Sequence, residues 1–302
     1  NTFDRRRQQV AIGNVYVQDF VKPGYTTQWS VHYNRDEPTV HYDVNGFLVR
    51  PSGVGDVAPH EVKTVYLGWA GDGHFGRLNL THAFYQVLGD DDRNPIAGRQ
   101  VDVDAQMAAA ELSVDKDWLR FKTSFLWASG DSDPTNDKAR GFDSIFDAPV
   151  LAGGAFSYVL HQGIPLTRAG VPLFNGMSLL PDLRDKIEGQ ANHVNPGVLL
   201  LNGGVVLRLT PKLKGSLDLS WFRFDRTEPL ELLLHQPDIS KSFGVDLNAG
   251  FSFRPLLSDN VIVLVGGALF LPGAGYDDML SSRCDTPASC GARSGKLYQA
   301  FG

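Results

Sequence analysis

The stretch SKSFGVDLNAGFSFRP, residues 240–255, alternates without a break. Phe243, Val245, Leu247, Ala249, Phe251 and Phe253 take one set of alternate positions, and Ser242, Gly244, Asp246, Asn248, Gly250, Ser252 and Arg254 the other. Successive side chains of a strand point to opposite faces, so this segment separates two contrasting environments. They are either a protein core and water, or lipid and an aqueous interior. Strands in soluble proteins usually run ~5–6 residues, whereas a tilted strand crossing a bilayer needs ~9–11. The length of this segment favours the second pair.

The neighbouring segments argue the same way. About eleven strand-like stretches recur, near residues 9–20, 25–36, 61–70, 77–88, 99–114, 118–130, 197–210, 214–225, 240–254, 260–271 and 295–302. Their connectors alternate: VKPG is short and residues 37–60 long, GDGHFG short and DDDRNPIAG longer, DKD short and residues 131–196 very long. PKLK is short and RTEPLELLLHQPDI long, PLLSD short and residues 273–294 long. Tight turns on one rim and long loops on the other are the pattern of an outer-membrane barrel. The expected fold is therefore all-β, a transmembrane antiparallel β-barrel of the bacterial outer membrane. About eleven strands of a barrel of about 16–18 lie in this chain. Residues 1–302 read as a single barrel domain with 131–196 as a long extracellular loop. The first and last segments both run towards the tight-turn rim, and bacterial barrels hold an even strand count. An odd number of strands is accordingly expected before Asn1, and a few residues after Gly302.

Bulk properties fit this reading. Among 302 residues no run approaches the ~20 apolar residues of a spanning helix, and a barrel dilutes its apolar residues with interior ones. A net charge of -6 gives no electrostatic case for nucleic acid. The start, NTFDRRRQQV, is too polar for a secretory leader, so the expectation is either that a leader has been removed or that this is part of a longer chain. Cys284 and Cys290 are the two cysteines. Their spacing suits a small disulfide loop in an oxidising compartment, with two reduced loop cysteines as the alternative.

Two faces can be assigned along several strands. In residues 118–130, Leu119, Phe121, Phe125 and Trp127 oppose Arg120, Lys122, Ser124 and Ala128. In residues 25–36, Thr27, Trp29, Val31 and Tyr33 oppose Gln28, Ser30, His32 and Asn34. Trp29, Tyr33, Trp69, Trp118, Trp127 and Trp221 recur near strand ends, where interfacial aromatic girdles belong. A soluble barrel is disfavoured because strands this long and numerous enclose more volume than these side chains fill. The polar face is expected to line a water-filled pore. Arg120, Lys122, Arg208 and Arg254 lie towards the tight turns, with Asp218 near them, Asp102, Asp104 and Asp246 lie towards the surface, and Asn248 is a further pore-lining residue. A lining of both signs guides polar or charged solutes. Arg223 and His82 fit neither face without a bulge.

Motifs for chemistry are missing. The eight histidines have no zinc spacing, and no GxSxG and no P-loop occurs. Nothing points to an enzyme. In GDSDPTNDKARGFD, Asp131, Asp133 and Asp137 surround Asn136 and are candidate oxygen ligands for calcium; without the Gly and closing Glu of an EF-hand, the competing reading is a solvated acidic loop. The rest of the long connector is semi-apolar, and SLLPDLRDKIEGQ suits a short helix. Such a loop either folds into the mouth as a constriction or docks on a partner.

Residues 127–149, WASGDSDPTNDKARGFDSIFDAP, resemble the alginate-export family of outer-membrane porins. The similarity continues through NVYVQDF, QWSVHYNRD, LTHAFYQVLGDDDRNPIAG and NPGVLLLNGGVVLRLTPKL, most of the chain. It implies a monomeric barrel of about eighteen strands passing an anionic polysaccharide or related solutes. The visible interior departs from that family's arginine-rich pore, since aspartates balance Arg120, Lys122, Arg208 and Arg254. The expectation is an outer-membrane channel for polar or anionic solutes. The rival is a barrel that holds a periplasmic or surface protein, as an electron-conduit sheath or an adhesin. The chain has no haem-attachment motif, so such a partner would bring the cofactor.

Overall fold

A computed structural model describes residues 7–42, 46, 48–51, 55–145, 156–161, 190–257, 260–281 and 295–301. In chain order the elements are β1 (Gln8–Val17), β2 (Tyr25–Asp36), β3 (His41–Tyr42), β4 (Leu48–Arg50), β5 (Val62–Phe75), β6 (Leu78–Asp91) and β7 (Val101–Lys116). There follow β8 (Leu119–Ala128), β9 (Lys138–Ala139), α1 (Tyr158–His161), β10 (Val198–Thr210), β11 (Leu213–Arg223), α2 (Glu228–Leu234), β12 (Ser242–Phe253), β13 (Val263–Pro272), α3 (Ala274–Ser281) and β14 (Leu297–Phe301). All eleven segments expected as strands are strands. Cys284, Cys290 and most of the expected helix at residues 178–190 lie outside the described residues.

The sheet is an antiparallel meander, β1-β2-β5-β6-β7-β8-β10-β11-β12-β13-β14, with β9 added in parallel beside β7. Among the described residues it is an open wall with β1 and β14 at its edges. Three of its turns are two residues long, because Phe75 pairs with Leu78, Lys116 with Leu119 and Thr210 with Leu213. Gly76 (φ 68°) and Asp117 (φ 54°) supply the positive φ that such turns need to follow the strand twist. The Thr210 hydroxyl accepts from the N–H groups of Lys212 (3.2 Å) and Leu213 (3.0 Å), closing the third turn. The tight turns share one rim, and the long connectors leave from the other.

The two faces have inverted polarity. Register sets Phe121, Val205, Leu217 and Ala249 side by side, with Phe125, Leu201, Trp221, Val245 and Leu271 in a parallel row. Phe121, Leu201, Leu217, Leu219, Leu247 and Phe251 are exposed on this outer face, Leu219 by 52%. A contiguous apolar surface spanning so many strands forgoes ~1.5–3 kcal/mol of burial per large side chain. Soluble monomers rarely carry one. The inner face, by contrast, holds Asp218, Ser220, Asp246 and Asn248, all buried. Apolar out and polar in is the wall of a transmembrane β-barrel.

The opening stretch is a strand, β12, but its first residues depart from strict alternation. A register shift lies between Phe222 and Arg223, where Arg223 pairs with Ser242 and Phe222 with Gly244. Phe243 is the extra residue of that bulge, and the bulge turns it inward, where it is buried. The expectation that it joins the outer apolar row is thus corrected. It meets Phe224 (5.3 Å between ring centroids), Phe270 (5.4 Å) and Tyr276 of α3 (5.7 Å). Gly244 has to be small there, because a Cβ would sit 2.5 Å from the Phe270 ring. These rings, with Leu230 of α2, Ile239 and Met279, form part of a hydrophobic core between wall and connectors on the long-loop side. Both residues that fitted neither face lie on the outer one. Arg223 is exposed opposite Leu199, and His82 sits against Trp69 (4.5 Å between centroids) with Nε2 2.6 Å from the Tyr25 hydroxyl.

Candidate functional site: the inner wall and its connector

Three rows of paired residues cross the inner face. Nearest the long-loop rim run Glu111, Ser124, Asn202, Ser220, Asp246 and Phe270. Next come Ser113, Lys122, Gly204, Asp218, Asn248 and Ala268, then Asp115, Arg120, Val206, Ser216, Gly250 and Gly266. Arg208 and Lys214 pair one step nearer the tight turns.

The polar groups are linked along and between rows. Ser124 donates to Glu111 (2.6 Å) and Asn202 to Ser220 (2.9 Å). Lys122 Nζ meets Asp218 Oδ1 at 2.9 Å in the space that Gly204 leaves open. Asp115 gathers three donors: Arg120 through Nε and Nη2 (both 2.8 Å), Arg208 Nη2 (3.0 Å) and Asn79 Nδ2 (3.1 Å). A bidentate arginine pair of this kind is short and directional. Asp115 is not among the pore residues expected from sequence, although extending the alternation from Arg120 across the Asp117 turn reaches it.

The long connector folds against this face. Phe156 lies over the paired glycines of β12 and β13; a Cβ on Gly250 would come 2.5 Å from its ring, and one on Gly266 would also strike it. Ser157 Oγ donates to Asp246 Oδ2 (2.5 Å), and the Val159 N–H reaches the same oxygen (3.3 Å). Tyr158 stacks flat on Phe270, with centroids 5.7 Å apart and planes at 2°. Phe156, Ser157 and Val159 are all buried.

The returning end of the connector is fixed near the long-loop rim. Gln190 Nε2 donates to the carbonyls of Asp36 (3.1 Å) and His60 (2.5 Å). The Asn192 N–H donates to Asp143 Oδ2 (2.9 Å), and the Tyr66 hydroxyl to the Asp143 carbonyl (2.7 Å). Asn94 Nδ2 reaches Asn192 Oδ1 (3.2 Å). Residues 156–159 of the connector therefore pack on the inner face and residues 190–196 near the rim, and nothing in the connector's composition points to the wall residues that receive it.

The candidate pore residues separate into three groups. Arg120, Lys122 and Arg208 are on the inner face, and Arg254 follows β12 at the tight-turn end, its N–H bonded to the Lys212 carbonyl (2.8 Å). Asp218, Asp246 and Asn248 are on the inner face too, but buried rather than lining open water. Asp102 and Asp104 are the correction: both are exposed on the outer face, while Val101, Val103 and Ala105 point inward and are buried. Asp102 pairs with Asp90, and Gln86 donates to Asp104 (2.8 Å). At the long-loop rim β6 and β7 continue past the apolar rows, so their outer face turns polar there.

The acidic loop works as a structural turn. Asp131 is buried and accepts from the N–H of Asp133 (2.9 Å) and more distantly of Arg140 (3.4 Å). Asp133 accepts from the hydroxyl (2.7 Å) and N–H (3.1 Å) of Thr135. Burial pushes the Asp131 carboxyl up, whereas the Thr135 hydroxyl holds Asp133 below the usual range. Asp131, Asp133 and Asp137 do not converge as a calcium ligand group. Among the described residues, the one group of three or more His, Cys or carboxylate ligand atoms lying mutually within 4.8 Å is that of His60, Asp91 and Asp92. There His60 Nδ1 is 2.6 Å from Asp91 Oδ1, and Asp92 accepts from the Glu61 N–H (2.8 Å).

No helix among the described residues is long and apolar enough to cross a membrane, which leaves crossing by strands untouched. No protein-family model and no curated protein matches the sequence. Among solved structures, the chain is similar to the crystal structure of a Pseudomonas aeruginosa FadL homologue, with a TM-score of 0.33 and 9% sequence identity. That likeness covers 87% of this chain and 60% of the other, so the chain spans about three fifths of the length of the structure it matches.

Proposed function

We propose that this chain forms part of a bacterial outer-membrane channel for polar or anionic solutes, with residues 156–161 of its long connector acting as the gate. One observation carries the reading: Phe156, Ser157 and Val159 are buried against the polar inner face of a wall whose outer face is apolar. An inward-folded segment on a polar conduit is the arrangement of a constriction. Towards the tight turns the inner face carries Arg120, Arg208 and Lys214, with Arg254 after β12, against Asp115. That excess of cations supports an anionic solute entering or leaving at that rim. An oligo- or polysaccharide bearing carboxylates, as the resemblance to the alginate-export family implies, fits such a lining. The chain's own connector takes up inner-wall surface that a threaded protein partner would need, which supports a channel over a partner-holding barrel.

The test is conductance in planar bilayers. The protein should give stepwise currents, anion-selective in a salt gradient, and Ser157→Ala should raise the open fraction. Silence from both the parent and this variant refutes the proposal.

A further inference from the structure

Beneath the connector lies a polar group that the gate alone does not explain. β11 and β12 set Asp218 opposite Asn248 and Ser220 opposite Asp246, so Asp218, Asp246 and Asn248 are neighbours on one face. None of the three is more than 1% exposed. Lys122 meets Asp218 through Oδ1, while the groups on Asp246 Oδ2 are the neutral Ser157 hydroxyl and Val159 N–H. Asp218 Oδ2, Asp246 Oδ1 and both polar atoms of Asn248 are buried without a well-formed hydrogen bond, with the Asn248 amide near enough to the Asp246 carboxylate to interact with it. The Asp115, Arg120 and Arg208 group is a step nearer the tight turns and is satisfied within itself.

With both carboxylates ionised, one ammonium leaves one buried negative charge, which is strongly unfavourable until a proton or a cation offsets it; stabilisation by a cation is what separates the two. The oxygens that lack a well-formed hydrogen bond are two carboxylate and one amide, the hard donors that alkali and alkaline-earth cations take. Charge balance calls for a single positive charge, because a divalent ion beside the Lys122 ammonium overshoots it. We infer that Asp218, Asp246 and Asn248 bind a monovalent alkali cation between wall and connector. Because Asp246 also holds Ser157, the bound cation supports the closed gate. This consequence rests on the gate reading, but the site itself does not.

The experiment compares thermal unfolding of the detergent-solubilised protein in sodium chloride and in N-methyl-D-glucamine chloride at equal ionic strength. The midpoint is expected to be higher in sodium by on the order of a few degrees, and to saturate with sodium concentration. Asp246→Asn keeps an oxygen for the Ser157 hydroxyl while removing the charge, and should abolish the shift; Ser157→Ala should retain it. Equal midpoints for the parent protein, or an undiminished shift in Asp246→Asn, overturn the inference. Should Asp246→Asn fail to fold, thallium soaked into crystals of the parent protein should give an anomalous peak among the three side chains, and its absence is equally fatal. If sodium has no effect but Ser157→Ala still raises conductance, the cation site fails and the gate stands; the reverse pattern removes the gate and keeps the site.

Discussion

Placing a methyl group on Gly250 probes the gate without touching any polar contact. A Cβ there comes 2.5 Å from two ring carbons of Phe156, well inside van der Waals contact, so the ring has to leave. Phe156 is 6% exposed in place, and returning a phenylalanine to water costs ~1.5–3 kcal/mol. Taking about 2 kcal/mol, the closed-to-open ratio falls by about 30-fold, since ~1.4 kcal/mol is a factor of ten. Gly203 is the internal control, a wall glycine of β10 with nothing within 4 Å of an added Cβ. Single-channel recording should show Gly250→Ala open for most of the record and Gly203→Ala indistinguishable from the parent. Phe156→Ala should open the channel alone, and adding Gly250→Ala to it should change little, because the clash has no partner left. Identical traces for Gly250→Ala and the parent refute the reasoning.

Other perturbations follow from the same geometry. Lys122→Ala leaves Asp218 buried without its cation and should cost ~3–5 kcal/mol in urea unfolding, whereas Lys122→Arg should recover much of it. Leu219→Arg, in the middle of the outer apolar rows, should destabilise insertion into lipid vesicles by ~2–4 kcal/mol; Asp104→Arg, past those rows, should be close to neutral. The acidic loop has a pH signature of two signs. Asp133, held low by Thr135, gives stability that is present above the usual carboxylate range and lost as pH falls through its depressed value. Asp131, pushed up by burial, favours the folded loop at low pH and loses that contribution as pH rises through its raised value. Amide exchange at Thr135, against that at Asp133, should report the two trends separately, and a common trend would contradict the assignment.

The wall was legible because two periodicities are written directly into the chain. Alternation in residues such as Leu217, Asp218, Leu219 and Ser220 gives the faces, and connector length gives the rims. Alternation carries no mark of where lipid ends, however. Their charge makes Asp102 and Asp104 look interior, although they share an outer face with Gln106 just beyond the apolar rows. One inserted residue also reverses the phase, and the bulge beside Phe222 took Phe243 from lipid to a buried aromatic cluster. The gate was least legible. The contacts of Phe156 with Gly250 and Gly266 join residues far apart in sequence through shape alone, and a glycine in a strand has no pattern that announces what lies over it. The acidic loop misled for a related reason: Asp131 and Asp133 cap backbone N–H groups, a use of carboxylates that spacing does not separate from ion binding.

The central claim is that the apolar face meets lipid, and native tryptophan reports it without mutation. Trp29, Trp69, Trp127 and Trp221 lie on the outer face, where Trp29 pairs with Trp69 and Trp127 and Trp221 flank the Leu199–Leu201 segment. In vesicles of lipid brominated along its acyl chains, tryptophan emission should be strongly quenched relative to unbrominated vesicles. Emission that ignores the bromine would place these residues away from lipid and contradict the account.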